Sequence, residues 1–193
     1  MAVDLLVVGL GTPGAEYART RHNCGADTLA LLAERHGGSL RRDSKIKVLA
    51  DTIRVGRHQL LLAWPQGYYN ESGQAAGALA RRHELTAEQI VVVHDELDLP
   101  PGRIKLKAGG GLAGNNGLKS LKAHLGTDEF LRVRIGVGKP PGRQEGADHV
   151  LRRPGKQERE ELDIAIQEAA DAVELIAAEG IDAAMTRFNQ RGE

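Results

Sequence analysis

Several short polar segments of the 193-residue chain carry side chains that can act as acids, bases or substrate ligands. His22 lies in the segment TRHN, and an imidazole can accept a proton near neutral pH. The segment HDELD at 94–98 follows an apolar run, and its carboxylates suit either a metal site or the orientation of a histidine base. The amides of Asn70, Asn115 and Asn116 can donate and accept hydrogen bonds on an ester, an amide or a ribose hydroxyl.

Each of these features also has a purely structural interpretation. A single histidine is often a surface residue. Acidic side chains are common on solvent-exposed loops, and asparagines are common in turns. Cys24 could be a thiol nucleophile, but it opens an apolar helical segment, which favours a buried apolar role. Residues 9–14 match the dinucleotide-binding pattern G-x-G-x-x-G. However, Pro13 removes a backbone N–H where a helix N-terminus would bind phosphate, so we expect a tight turn lining a pocket.

Alternating strands and helices must position these polar segments. Apolar runs and β-rich stretches predict strands at 3–8, 45–55, 58–64, 90–94, 103–107 and 131–137, the last with Arg132 and Arg134 pointing outward. Helical spacing predicts helices at 24–36, 72–83, 117–125 and 158–178 and a short one after Gly180, with Asn116 as the N-cap of the third. The proline-rich stretch 140–142 predicts a surface loop.

This alternation predicts a single three-layer α/β domain over residues 1–193, with a twisted, mostly parallel (mixed) central sheet flanked by helices. In open α/β sheets, sites gather at the carboxyl ends of the strands. Those ends are predicted at 9–14, 64–70 and 94–98, so the polar segments there should meet at one edge of the sheet.

Composition and charge narrow the possible functions. One cysteine excludes a disulfide framework within the chain, and no apolar run approaches the 18 residues that a membrane span needs. No basic segment precedes the first apolar run, so we expect a cytosolic protein without a signal peptide. The formal net charge is zero, yet residues 102–143 contain nine basic and two acidic side chains. That local charge of +7 indicates either an anionic partner, such as nucleic acid, or a surface neutralised by acids nearby in the fold.

Taken in order, the motifs resemble the bacterial peptidyl-tRNA hydrolase family. The similar segments are GLGTPG at 9–14, Tyr17, TRHNCG at 20–25, YYNESG at 68–73, HDELD at 94–98, GGGLAGNNGL at 109–118 and RVRIGVG at 132–138. Each is weak alone, but the ordered set covers nearly the whole chain.

The resemblance implies an enzyme that uses neither metal nor cofactor. It would hydrolyse the ester that joins a peptide to tRNA, returning prematurely released peptidyl-tRNA to translation as free tRNA. The family's catalytic histidine falls on His22, and its supporting aspartate falls on Asp95. The remaining implied site residues are Thr12, Tyr17, Tyr69, Asn70, Asn115 and Asn116 for the substrate, and Lys105, Lys107 and Arg134 for a tRNA phosphate. The resemblance also implies tRNA as the partner and a monomer in the cytoplasm.

Three positions depart from the family pattern. Thr12 replaces the usual asparagine, Tyr69 replaces a methionine, and Asn115 replaces a histidine. All three would touch the peptide end of the site, so we expect hydrolysis with altered handling of the peptide. The alternative is a catalytically weakened paralogue that acts mainly as an RNA-binding protein. A nucleotide-dependent protein or an unrelated hydrolase is the remaining class.

Overall fold

The computed structural model of the protein describes residues 2–140, 142 and 145–189. Its strands are β1 (Leu5–Gly9), β2 (Arg41–Asp43), β3 (Val48–Val55), β4 (His58–Pro65), β5 (Ile90–Glu96), β6 (Ile104–Ala108) and β7 (Leu131–Gly136). Its α-helices are α1 (Cys24–Arg35), α2 (Ser72–Arg82), α3 (Asn116–Leu125), α4 (Gly146–Val150), α5 (Lys156–Glu179) and α6 (Ile181–Phe188). Short 3-10 helices cover Ala15–Tyr17, Arg21–Asn23, Tyr69–Glu71 and Ala87–Gln89.

The seven strands form one mixed sheet in the order β2-β3-β4-β1-β5-β7-β6. The four central strands, β4, β1, β5 and β7, are parallel. Antiparallel partners extend the sheet at both edges, through β3 and β2 on one side and β6 on the other. The predicted α/β fold with a mixed sheet is therefore confirmed, and its parallel part holds the strand ends that were expected to carry the site.

Helices cover both faces of the sheet because successive side chains of the central strands point to opposite faces. Val7 belongs to a buried cluster with α1, α5 and α6, whereas its neighbour Val8 belongs to a cluster with α2 and α3. The long helix α5 contributes one apolar stripe, including Leu162, Val173 and Ile176, to the first cluster. This arrangement confirms the predicted three layers.

Three sequence-based details are wrong. Strand β5 continues to Glu96, so Asp95 lies inside a fully buried strand and not in the loop after it. Helix α3 begins at Asn116, and the capping side chain is that of Asn115, which accepts a hydrogen bond from the backbone N–H of Leu118 at 3.0 Å. Strand β3 begins at Val48, three residues later than expected.

Arg132 was expected to point outward, but only 1% of its surface is exposed. Arg132 and Val133 do point to opposite faces of β7, as a strand requires. However, the face that carries Arg132 is covered by the glycine-rich loop that precedes α3. Pro141 in the expected surface loop and Arg143 in the basic stretch lie outside the described residues. Within the described ranges, no helix combines the length and apolar character required to cross a bilayer.

Candidate active site

The carboxyl ends of β4, β1 and β5 open into one cleft of about 840 Å³. All eight residues expected to form the catalytic and substrate-binding set line it: Thr12, Tyr17, His22, Tyr69, Asn70, Asp95, Asn115 and Asn116. Parallel pairing of β1 with both β4 and β5 explains why the segments 9–14, 64–70 and 94–98 meet there. The structure thus brings together residues that lie up to about a hundred positions apart in sequence.

His22 and Asp95 form a hydrogen-bonded pair in this cleft. His22 Nδ1 lies 3.0 Å from Asp95 Oδ2, and their side chains are 14% and 5% exposed. Because a carboxylate only accepts hydrogen bonds, Nδ1 carries the proton and Nε2 is left as the nitrogen with a lone pair. Asp95 thereby selects the tautomer in which His22 can act as a base.

Close packing of α1 against the sheet brings these two side chains together. A Cβ atom at Gly25 would overlap the backbone carbonyl of Val93, so only glycine allows this approach. The backbone N–H of Ala26 also donates to the carbonyl of Leu10 at 3.1 Å. His22 lies just before Gly25 and Asp95 lies two residues after Val93, so this contact sets their separation.

The loop after β1 is held by the side chain of Asn23. Its Oδ1 accepts from the backbone N–H of Thr12, and its Nδ2 donates to the carbonyl of Thr12, both at 2.8 Å. Trp64 Nε1 donates to the carbonyl of Gly11 at 3.1 Å. The segment 9–14 leads into a 3-10 turn and not into the first turn of a helix, as expected for a loop that lines a pocket.

Tyr69 lies against His22, with the two ring centroids 4.0 Å apart and the planes tilted by 37°. The Tyr69 hydroxyl donates to Asn115 Oδ1 at 3.1 Å and accepts from Asn115 Nδ2 at 2.9 Å. Burial raises the pKa of Tyr69 well above its ordinary value, which keeps the hydroxyl protonated. By contrast, Asn70 and Asn116 are exposed to the cleft.

The three residues expected to bind a tRNA phosphate lie beside the cleft and do not line it. Lys105 of β6 is paired in register with Arg134 of β7, and Lys107 is two residues further along the same face. Arg134 NH1 also lies 3.7 Å from the carboxylate of Glu96. Arg134 itself is paired in register with His94, the neighbour of Asp95. The three cations therefore form a half-exposed basic face one and two strands away from the His22–Asp95 pair.

The carboxylates of segment 94–98 have separate partners. Asp95 bonds His22, Glu96 approaches Arg134, and Asp98 lies 3.4 Å from Lys139. Among the residues that the structure describes, no three His, Cys, Asp or Glu side chains come close enough to hold a metal ion. Asp95 is thus the carboxylate that could orient a histidine base, while Glu96 and Asp98 lie near cations.

Two further groups near the cleft are deeply buried. Burial raises the pKa of the Cys24 thiol well above its ordinary value, so the thiolate needed for nucleophilic attack is disfavoured. His94 donates from Nδ1 to the carbonyl of Asp95 at 2.8 Å. Burial also lowers the pKa of His94, which keeps it neutral. The predicted buried role of Cys24 fits this environment.

Sequence reasoning missed two contributors to the site. In the sequence, Asn23 stands out only as part of the motif TRHN. An amide directly before a helix is nevertheless a recognisable signal for a side chain that caps the helix or holds a neighbouring loop. Four residues in and just after α4 also line the cleft: Gly146, Ala147, Val150 and Leu151. Their side chains include Ala147, Val150 and Leu151, so no reactive residue type marked them as part of a site.

Comparison with known proteins decides the family. Residues 6–193 match the sequence model of the family described as peptidyl-tRNA hydrolase. The chain belongs to this family. A peptidyl-tRNA hydrolase of Mycolicibacterium vanbaalenii is 44% identical over 192 residues, covering 100% of both chains. One of Mycobacterium tuberculosis is 48% identical over 189 residues, covering 98% of this chain and 99% of that protein.

Solved peptidyl-tRNA hydrolase structures agree with this assignment. The crystal structure from Acinetobacter baumannii superposes with a TM-score of 0.91 at 36% identity, covering 98% of this chain and 97% of that chain. The predicted family and fold class are both confirmed.

Proposed function

We propose that this peptidyl-tRNA hydrolase cleaves the ester between peptide and tRNA with a water molecule that His22 activates. The observation that carries the proposal is the 3.0 Å hydrogen bond from His22 Nδ1 to Asp95 Oδ2 inside the cleft. It supplies a base of defined tautomer at the point where all the expected substrate-binding residues converge.

The reaction needs one proton acceptor and a site for developing negative charge. Nε2 of His22 takes a proton from water while the water oxygen attacks the ester carbonyl carbon. Asp95 stabilises the resulting imidazolium, which then returns the proton to the departing ribose oxygen. Asn70 and Asn116, whose exposed side chains line the cleft, would donate amide hydrogens to the carbonyl oxygen as it gains charge. Such a base typically contributes about 10²–10⁴ in rate.

The basic face formed by Lys105, Lys107 and Arg134 is proposed to bind a phosphate of the tRNA. These three side chains share one face of the β6–β7 pair and lie next to the strand that carries Asp95. Contacts to phosphate supply affinity without reading the nucleotide sequence. An enzyme that acts on many tRNAs requires that kind of recognition.

Release of free tRNA from N-blocked aminoacyl-tRNA tests the proposal directly. We expect His22→Ala to lower kcat by a factor of about 10²–10⁴ while tRNA binding changes by no more than a few fold. Cys24→Ala is the matched control, since the buried thiol should not contribute to the reaction. More than about a tenth of wild-type kcat in His22→Ala contradicts the role of His22 as the general base. Activity that is lost in EDTA at constant ionic strength and restored by zinc contradicts the metal-free mechanism.

The alternative of a protein that only binds RNA is not favoured, because the His22–Asp95 pair is intact.

We also propose that the protein works as a monomer in the cytoplasm. Every residue expected in the cleft comes from one chain, and translation in the cytoplasm is the source of peptidyl-tRNA. Sedimentation at the concentration used for the activity assay tests the monomer.

A further inference from the structure

His22 is restrained in two directions. Asp95 holds the edge of the imidazole through Nδ1, and the ring of Tyr69 lies against its face at 4.0 Å. A hydrogen bond at one ring nitrogen still permits the ring to swing about the side-chain torsions. The aromatic contact opposes that motion, so the direction in which Nε2 points depends on where Tyr69 lies.

The position of Tyr69 depends in turn on Asn115. The tyrosine hydroxyl exchanges two hydrogen bonds with the Asn115 amide, at 3.1 and 2.9 Å. Asn115 is fixed because its Oδ1 also caps α3 through the backbone N–H of Leu118. Space for the tyrosine ring comes from Gly117, where a Cβ atom would lie only 2.9 Å from Tyr69 Cε1. The N-terminus of α3 thus holds Tyr69, and Tyr69 borders His22.

We propose that Tyr69 and Asn115 form a positioning pair for His22, and that Asn115 does not bind the substrate. The carbonyl of Asn115 already accepts two hydrogen bonds, from Tyr69 and Leu118, and one of its two amide N–H groups donates to Tyr69. Asn116, the next residue, is exposed to the cleft and is left for the substrate. This inference rests on the proposed role of His22 as the base.

The pair also gives a physical account of two departures from the family pattern. Tyrosine at 69 brings a hydroxyl that requires a partner once it is buried, and asparagine at 115 provides both a donor and an acceptor within reach. Each residue therefore provides the hydrogen-bonding partner that the other requires. We therefore expect the two positions to be strongly coupled in their effect on catalysis.

A double-mutant cycle tests the coupling. Tyr69→Phe keeps the ring and removes the hydroxyl, while Asn115→Ser keeps a helix-capping side chain that is too short to reach Tyr69. We expect each single variant to lower kcat about fivefold, because it loosens His22 without removing it, with little change in KM. The double variant should lose about fivefold as well, whereas independent effects would multiply to about 25-fold. Asn115→Ala, compared with Asn115→Ser, separates loss of the cap from loss of the tyrosine contact.

Proton NMR of the His22 Nδ1–H provides a readout that does not depend on turnover. We expect this proton to exchange faster with solvent in Asn115→Ser than in the wild type. Tyr69→Leu, which removes the ring, should show the largest increase. Multiplicative losses in the cycle, a rise in KM at constant kcat, or unchanged exchange in both variants would each overturn the positioning pair. Wild-type protein that shows a protected Nδ1–H but no hydrolysis would instead refute the proposed function and leave the geometry standing.

Discussion

Replacement of Arg132 by methionine should destabilise the protein and loosen the loop that leads to Asn115 and Asn116. The guanidinium of Arg132 donates to the backbone carbonyls of Gly110, at 2.7 Å, and Gly111. A third hydrogen bond goes to the carbonyl of Asp128 at 3.1 Å. One planar side chain thereby closes the glycine-rich loop over β7.

The size of the effect follows from two opposing contributions. Each hydrogen bond from a charged donor contributes about 1.5–3 kcal/mol, so loss of three costs several kcal/mol. Removal of a guanidinium that is only 1% exposed also removes its desolvation cost, which is several kcal/mol for a buried ion. Burial already lowers the pKa of Arg132, in line with that cost. The carbonyl of Gly111 can be hydrated instead, because this residue is exposed. We expect a net loss of about 3 kcal/mol in the free energy of unfolding.

Thermal unfolding and steady-state kinetics measure both consequences. A loss of about 3 kcal/mol should lower Tm by about 10 °C in a chain of this length. KM should rise, because Asn116 follows the released loop. Lys122→Met is the control, since Lys122 makes one exposed ion pair, 3.7 Å from Asp128, lies outside the proposed binding residues and should cost less than about 1 kcal/mol. A Tm of Arg132→Met within about 2 °C of wild type would refute this account of the loop.

Two other predictions concern charge. Burial raises the pKa of Asp27 to about 6, only partly offset by Arg159, whose guanidinium is 3.9 Å away. Because the pKa of Asp27 is higher in the folded protein than in the unfolded chain, the free energy of unfolding should fall as pH rises from about 4 to 6. Asp27→Asn should flatten that part of a Tm–pH profile. An unchanged profile would contradict the buried, raised-pKa state of Asp27. Lys107→Ala and Arg134→Ala should each weaken tRNA binding and reduce its salt slope by about 0.7–0.9 in a filter-binding titration. Equal losses on a substrate without the 5′-phosphate would instead assign them a structural role.

The parallel core and the main site could be predicted because their signals are local and strong. The apolar run of β1 ends at Gly9, and that of β5 runs directly into His94 and Asp95, so the sequence itself marks the edge where the site lies. Topology then requires the ends of neighbouring parallel strands to meet. His22 was harder to place from pattern alone. Its position depends on the close approach of Gly25 to β5, which the sequence encodes only as one glycine among 24.

Tertiary contacts decided the features that could not be predicted. Arg132 alternates with Val133 as expected for a strand, but alternation does not reveal that a loop covers the polar face. Asn115 and Asn116 are equally good capping residues, and only the hydrogen bond to Leu118 N distinguishes them. The bond between Tyr69 and Asn115 spans 46 positions, and neither residue carries a local signal for it.

The basic stretch 102–143 shows how a sum of charges overstates a binding surface. Arg132 is buried against backbone carbonyls and is not available to a phosphate. Acids lie within 4 Å of two further cations, in the pairs Lys122–Asp128 and Lys139–Asp98. Exposed pairs of this kind reduce the local potential even though each contributes little to stability. We therefore expect the tRNA-binding surface to consist mainly of Lys105, Lys107 and Arg134, and not of all nine cations of the stretch. Binding to tRNA should accordingly lose affinity with salt as expected for about three phosphate contacts, and a slope that requires nine would mean that the paired cations exchange their acids for RNA.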